Sequence, residues 1–158
     1  MTKLIWALVC RRVLTDKETN TVTYIDGIEE LKALKLPSAC PPLVVGTLWK
    51  RDANDKTLTM RVRVSMGDKE VLTFEAPEIA MSGLRHRVNV QMGGFPIDDA
   101  GELTFAVEQL VGKTWKETAR VPVDIQVAEG SKADGTSDAG RKVPRKNRRS
   151  KRTKRPSK

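Results

Sequence analysis

The sequence predicts an all-β protein: an antiparallel β-sandwich of about eight to nine strands, followed by a disordered basic C-terminal tail. Apolar and polar residues alternate with period two in several segments, most clearly at residues 58–65. This alternation gives each strand one apolar face. Turn-forming residues separate these segments at the spacing expected of an immunoglobulin-like sandwich. Long stretches with the apolar spacing of a helix are absent from the sequence.

Charge divides the chain into two parts. Residues 1–128 contain 17 Lys/Arg and 17 Asp/Glu, so their net charge is zero. Residues 129–158 contain 12 Lys/Arg and 3 Asp/Glu, so they carry the whole net charge of +9. A segment of about 128 residues can bury roughly two-thirds of its unfolded surface. We therefore predict a β-sandwich domain at 1–128 and a disordered linker and polybasic tail at 129–158.

The first half of the domain alternates short apolar runs with turns. The run before Arg11 is apolar on both sides, which predicts a central strand. The next strand is rich in β-branched residues. Residues 28–36 fit either a helix or a strand, and a charged hairpin turn is expected at 51–56. The predicted strands of this half are 4–10, 21–25 and 43–49.

The second half carries the clearest strand pattern. The hairpin at 101–127 alternates on both arms and turns near Gly112, and it needs further strands to cover its apolar face. The other predicted strands are 58–65, 71–75 and 85–92. We predict a shared core of Leu58, Met60, Val62, Val64, Val88, Val90, Leu103, Phe105, Val123 and Ile125.

The tail carries the strongest functional signal. Residues 141–158 contain 11 Lys/Arg, no acidic residue and one large apolar residue, Val143. Such a segment cannot bury enough apolar area to offset its ordering entropy, so disorder is expected. Lys/Arg runs bind polyanions by releasing condensed counterions, without sequence preference. The predicted nucleic-acid-binding residues are Arg141, Lys142, Arg145, Lys146, Arg148, Arg149, Lys151, Arg152, Lys154 and Arg155. The alternative is that the tail only keeps the protein soluble.

Catalytic and metal chemistry have little support in the sequence. His86 is the only histidine, and a nucleophilic site would need it beside Cys10 or Cys40. Structural zinc usually takes four Cys or His ligands, and the chain has three such residues. Loop carboxylates can bind calcium, but turn formation is the simpler explanation for Asp52, Asp55, Asp98 and Asp99. We expect no catalytic residue, no metal site and no cofactor.

Four arginines are candidates for a second basic surface. Arg61 and Arg63 should point to the outer face of one strand, and Arg85 and Arg87 to the outer face of another. If those two strands shared a sheet, the guanidinium groups would form one patch. A solvated face balanced by carboxylates is the alternative, and the zero net charge of the domain favours it.

The N-terminal pattern ALVCRRVLTDKETNTVTYIDGIEEL resembles the opening of a family of small uncharacterised bacterial β-sandwich proteins. The matching residues are Cys10, Val13, Tyr24, Ile25, Gly27 and Ile28. Later segments LVVGTLWKR, RHRVNVQM and AGELTFAV are similar in order and spacing, so the resemblance covers about residues 3–127. It departs at Asp26, where the family often has an apolar residue. The resemblance implies a β-sandwich and no activity.

The sequence therefore predicts a non-enzymatic binding module that holds nucleic acid or another polyanion through its tail. The alternative is a structural or assembly protein whose sheet surface contacts a protein partner. A Cys/His enzyme is a remote third hypothesis. No segment has the roughly 18 apolar residues of a membrane span. With two cysteines and no secretory signal pattern, a cytoplasmic protein with reduced thiols is expected.

Overall fold

The structure is a computed structural model that describes residues 1–128. Within that range the protein is all-β and contains no helix, which confirms the predicted class. The predicted tail and its ten candidate residues lie outside the described residues. The thirteen strands are β1 (Lys3–Thr15), β2 (Val22–Gly27), β3 (Glu30–Ala33), β4 (Ser38–Ala39), β5 (Leu43–Lys50), β6 (Thr57–Leu58), β7 (Met60–Met66), β8 (Lys69–Glu75), β9 (Ile79–Ala80), β10 (Arg85–Met92), β11 (Pro96–Ile97), β12 (Gly101–Val111) and β13 (Thr114–Val127).

Nine of these strands form two larger sheets. The first sheet has the order β10-β5-β1-β2, and the second has the order β3-β13-β12-β7-β8. The remaining four strands have two residues each and pair as β4 with β11 and β6 with β9. These short pairs lie in segments for which the sequence predicts loops or undivided strands, and they raise the count above the predicted eight or nine.

One hydrophobic core receives side chains from both larger sheets. Val45 and Trp49 enter it from β5, while Val62 and Phe105 enter it from the second sheet. Nine of the ten predicted core residues are buried, and Val88 is partly buried against the same core. The alternation of β7 is also as predicted, since Val62 and Val64 are fully buried while the neighbouring arginines are only half-buried.

The sequence prediction was wrong at the connection 51–56. It is not a hairpin turn, because β5 belongs to the first sheet and β7 to the second. Directly after β5, Arg51 N–H donates a hydrogen bond to Leu84 O (2.8 Å). The chain then turns at residues 52–55 and continues into the second sheet. A charged turn signal marks a change of direction, but it does not say which strand the chain pairs with next.

One pair of strands is parallel, in contrast to the predicted antiparallel arrangement. The chain passes from β2 to β3 through Asp26, whose φ of 54° is tolerated by Asp better than by most residues. Ile28 N–H then bonds Val9 O in the first sheet, and Asp124 N–H bonds Glu29 O in the second. β3 therefore joins β13 in parallel register, with Leu31 opposite Ile125. Residues 28–36 thus contain a short strand and no helix.

The side chain of Tyr24 on β2 lies over the outer face of β5 and β10 in the first sheet. Gly46 and Asn89 are paired on that face, opposite the buried Val45 and Val90. The Tyr24 ring lies so close to Gly46 that a Cβ there would be 2.6 Å from Tyr24 Cε1. Tyr24 also donates its hydroxyl to Asn89 Oδ1 (3.3 Å). Glycine at position 46 therefore allows the Tyr24 ring to lie against β5.

Candidate functional site

The four arginines that are candidates for one basic patch lie in different sheets. Arg61 and Arg63 are on β7 of the second sheet, whereas Arg85 and Arg87 are on β10 of the first. The condition for a shared patch is therefore not met. Arg87 also donates to Asn20 O (3.3 Å) at the tip of the β1–β2 hairpin.

A buried carboxylate holds the two arginines of β7. Glu108 is only 5% exposed although it lies on the outer face of β12. It accepts hydrogen bonds from Arg61 Nε (2.5 Å) and from Arg63 Nε and Nη2 (3.2 and 2.7 Å). Burial by itself raises the pKa of Glu108, but the two guanidinium groups more than offset it and hold the pKa below its usual value. This cluster neutralises positive charge at the surface of the sheet.

Arginine side chains make two further contacts on the same face. Arg120 Nε and Nη2 form a two-point contact with the carboxylate of Glu117, at 3.1 and 3.0 Å. The guanidinium of Arg61 lies 4.4 Å from the ring centroid of Trp115, a cation–π distance. Trp115 thus covers an arginine and leaves that ring face closed to a stacked base.

The loop carboxylates considered for calcium are not brought together. Asp52 and Asp55 follow β5 and contact the N-terminal segment: the Met1 ammonium group bonds Asp52, and Thr2 bonds Asp55. Asp98 lies near the other end of β5 and accepts a hydrogen bond from Lys69 Nζ (2.9 Å). Across residues 1–128 no group of three or more His, Cys, Asp or Glu is placed to hold a metal ion.

The structure also separates the residues of the Cys/His hypothesis. Cys10 pairs with Val44 at one end of β5, and His86 pairs with Trp49 near the other end. Val44 and Trp49 are five residues apart in sequence, which corresponds to about 16 Å along β5. His86 is in register with the inward-facing Val88, as the sequence predicted. Cys10 and Cys40 are both buried free thiols.

Both thiols are expected to resist alkylation in the folded protein. Burial raises the pKa of Cys10, and it raises the pKa of Cys40 to about 11. A rise of about two pKa units makes Cys40 at neutral pH about 100-fold poorer in the reactive thiolate than an unperturbed thiol. Mass spectrometry after iodoacetamide treatment should show no adduct on native protein and two adducts in denaturant. Rapid modification of either cysteine in the native protein would revive the nucleophile hypothesis.

Sequence reasoning did not find one surface depression of the described residues. It is an open groove of about 530 Å³ between β1 and β13, where the chain crosses from β2 to β3. Leu8, Val121 and Pro122 form part of its apolar wall, and we call it the β1/β13 groove. Three exposed carboxylates also line it, those of Glu29, Glu102 and Asp124. Only the pairing of Glu102 with Asp124 could have been read from the hairpin pattern.

Comparison with known proteins adds no assignment, since no family model matches the chain and no curated protein shows significant similarity to it. In residues 1–128 no helix is long and apolar enough to cross a membrane.

Proposed function

We propose that this protein is a non-enzymatic β-sandwich binding module whose basic tail holds it to nucleic acid or to another polyanion without sequence preference. The two larger sheets would form the two layers of the sandwich, supported by the core that they share. The resemblance to small bacterial β-sandwich proteins and a cytoplasmic location belong to the same proposal. The tail residues that would contact phosphate are those named above, from Arg141 to Arg155.

The observation that carries the proposal is the separation of charge. The domain has no net charge, and the arginines on the outer face of its second sheet are engaged by Glu108 and Glu117. The basic residues of β7 and β10 lie in different sheets. A polyanion would therefore find its concentration of positive charge in the tail, where eleven Lys/Arg occur without an acidic residue.

Binding should depend steeply on salt and should require the tail. If about five tail residues neutralise phosphates, log K should fall against log salt with a slope of about −4.5 on duplex and about −3.5 on single strands. A truncated protein ending at residue 128 should bind far more weakly. Titrating both proteins against one duplex and one single strand at two salt concentrations measures these slopes.

A matched pair of variants tests whether the position of the charge matters. Neutralising Arg145, Lys146, Arg148 and Arg149 with Gln should flatten the slope equally for all sequences, because phosphate contacts do not specify sequence. Neutralising four exposed lysines of the domain to Gln removes the same charge and should change the slope much less. That control set is Lys17, Lys35, Lys50 and Lys113. Equal affinity of the full-length and truncated proteins would refute the proposal.

A second candidate function is assembly through the sheets, and one observation favours it. β3 pairs with β13 only from Asp124 onward, so residues 114–123 of β13 have no strand on that side within the described part of the chain. Phe74 on the edge strand β8 and Ile5 on β1 are also exposed, at 40% and 46%. The unpaired edge of β13 before Pro122 and the exposed apolar side chains favour protein contacts. If the protein assembles through its sheets, removal of the tail would leave partner binding intact.

A further inference from the structure

The β1/β13 groove has apolar walls but a poor edge for strand addition. Asp124 N–H points to the open side of β13, where it bonds Glu29 O. Pro122, two residues earlier, presents its nitrogen on the same side and has no N–H to donate. An extended ligand would therefore lack one of the main-chain bonds that normally hold an added strand. Side-chain contacts must provide the binding at this position.

The charges of the groove favour a basic ligand. Glu102 and Asp124 are directly opposite each other on β12 and β13, and like charges in such a pair destabilise a sheet. Neither these two residues nor Glu29 forms a salt bridge within residues 1–128, whereas Glu108, Glu117 and Asp98 all do. A cationic peptide segment bound between these carboxylates would reduce the repulsion between Glu102 and Asp124.

The chain itself carries a segment of matching character. Residues 141–146 read RKVPRK, in which Val143 and Pro144 are flanked by two basic pairs. The groove offers the complementary pattern, with apolar walls between acidic groups. Pro144 has no N–H, so it loses nothing at an edge that offers no complete hydrogen-bond ladder.

The segment also starts close enough to reach the groove. Asp124 is four residues from Ala128, about 13 Å along a strand. Twelve residues, 129–140, then precede Arg141 and can span up to about 40 Å. With a linker of this length, the effective concentration of residues 141–146 at the groove is in the millimolar range. A weak contact is therefore sufficient for the segment to bind there.

We propose that residues 141–146 of the same chain occupy the β1/β13 groove, with Val143 against Leu8 and Val121 and the basic pairs beside Glu29, Glu102 and Asp124. This inference rests on the proposed function in one respect: a polyanion and the groove would compete for the same tail. The apparent affinity for the polyanion is then reduced by the fraction of molecules whose tail is docked.

Zero-length carbodiimide cross-linking of the full-length protein tests the contact without nucleic acid. Lys142 and Lys146 should couple to Glu29, Glu102 or Asp124 within one chain, and coupling should be lost at high salt. The comparison set is three exposed carboxylates elsewhere, Glu18, Asp68 and Glu78. Cross-links spread evenly over both sets, or found only between chains, would overturn the proposal. This result stands whether or not the protein binds nucleic acid.

A charge-neutral variant tests the competition. Val143→Ser leaves every tail charge in place, so it should not weaken phosphate contacts, but it removes the apolar side chain from the groove. We expect it to raise duplex affinity about two- to tenfold at low salt and to reduce the cross-links. Unchanged affinity together with unchanged cross-links would overturn the docking of Val143.

Neutralising the groove provides the complementary comparison. The variant Glu29→Gln, Glu102→Gln and Asp124→Asn should raise duplex affinity more than the control variant Glu18→Gln, Asp68→Asn and Glu78→Gln, although both change the net charge equally. Equal affinities for the two variants would show a general charge effect and no groove contact. If neither protein binds duplex but the cross-links form as expected, the proposed function fails while the docking stands.

Discussion

Phe105→Ala is expected to lower the free energy of unfolding by about 3–5 kcal/mol. Phe105 has no exposed surface and lies on the central strand β12, between Val64 of β7 and Val121 of β13. Truncation removes its transfer free energy and leaves a cavity that the flanking strands can fill only in part. Domains of this size are stable by roughly 5–15 kcal/mol, so the loss is a large fraction of the total. The denaturant midpoint should fall while the m-value stays unchanged.

Phe74→Ala is the matched control for this experiment. Phe74 is the same residue type in the same sheet, but it lies on the edge strand β8 and is 40% exposed. Its truncation should cost less, about 1–2 kcal/mol, because a large part of the side chain remains in contact with water. Equal losses for the two variants would show that Phe105 is not at the centre of a common core.

The core could be predicted from the sequence because alternation is a local signal. On β7, every second residue from Met60 to Val64 is buried. On β12, Leu103, Phe105 and Val107 enter the core as predicted, although the residues between them are buried as well. Each of these strands pairs through a short turn with the next strand, and each hairpin contains one register shift, between Val107 and Glu108 or between Val64 and Ser65. Between such shifts, sequence spacing decides which side chains face inward.

The connections between sheets could not be predicted in this way. Leu31 and Leu34 fit a helical spacing, yet Leu31 is buried opposite Ile125 while Leu34 is 90% exposed. Residues 30–33 become a strand beside β13 because Asp124 N–H bonds Glu29 O, a contact between residues 95 positions apart. No local pattern contains that partner, and the β1/β13 groove exists only because the chain crosses there.

Glu108 shows a second reason why local patterns are insufficient. Alternation correctly places it on the outer face of β12, where an exposed carboxylate is expected. It is buried because the long side chains of Arg61 and Arg63 lie against it and bond its carboxylate. Burial of a charge by neighbouring side chains depends on three strands at once, so the sequence of one strand does not reveal it.

Glu108→Ala is therefore expected to destabilise the protein by about 2–3 kcal/mol, although no apolar core residue changes. Removing one partner leaves two partly buried guanidinium groups without their carboxylate, which costs more than the pair itself contributes. The arginines retain some exposure, at 24% and 36% of their side chains, so the loss should stay below that of a fully buried pair. The measurement is the denaturant midpoint at neutral pH. Glu117→Ala is the control, because its contact with Arg120 is exposed and should contribute at most about 1 kcal/mol.

The contribution of Glu108 should also depend on pH in a defined direction. Its pKa is lower in the folded protein than in the unfolded chain, where a glutamate titrates near 4.3. The unfolded state then binds a proton more readily, so this stabilisation is fully present above about pH 5 and is lost as the pH falls through the folded pKa. The difference in unfolding free energy between the wild type and Glu108→Gln should shrink over that acidic interval and stay constant from pH 6 to 8. A difference that grew as the pH fell would contradict the ion pairs assigned to Arg61 and Arg63.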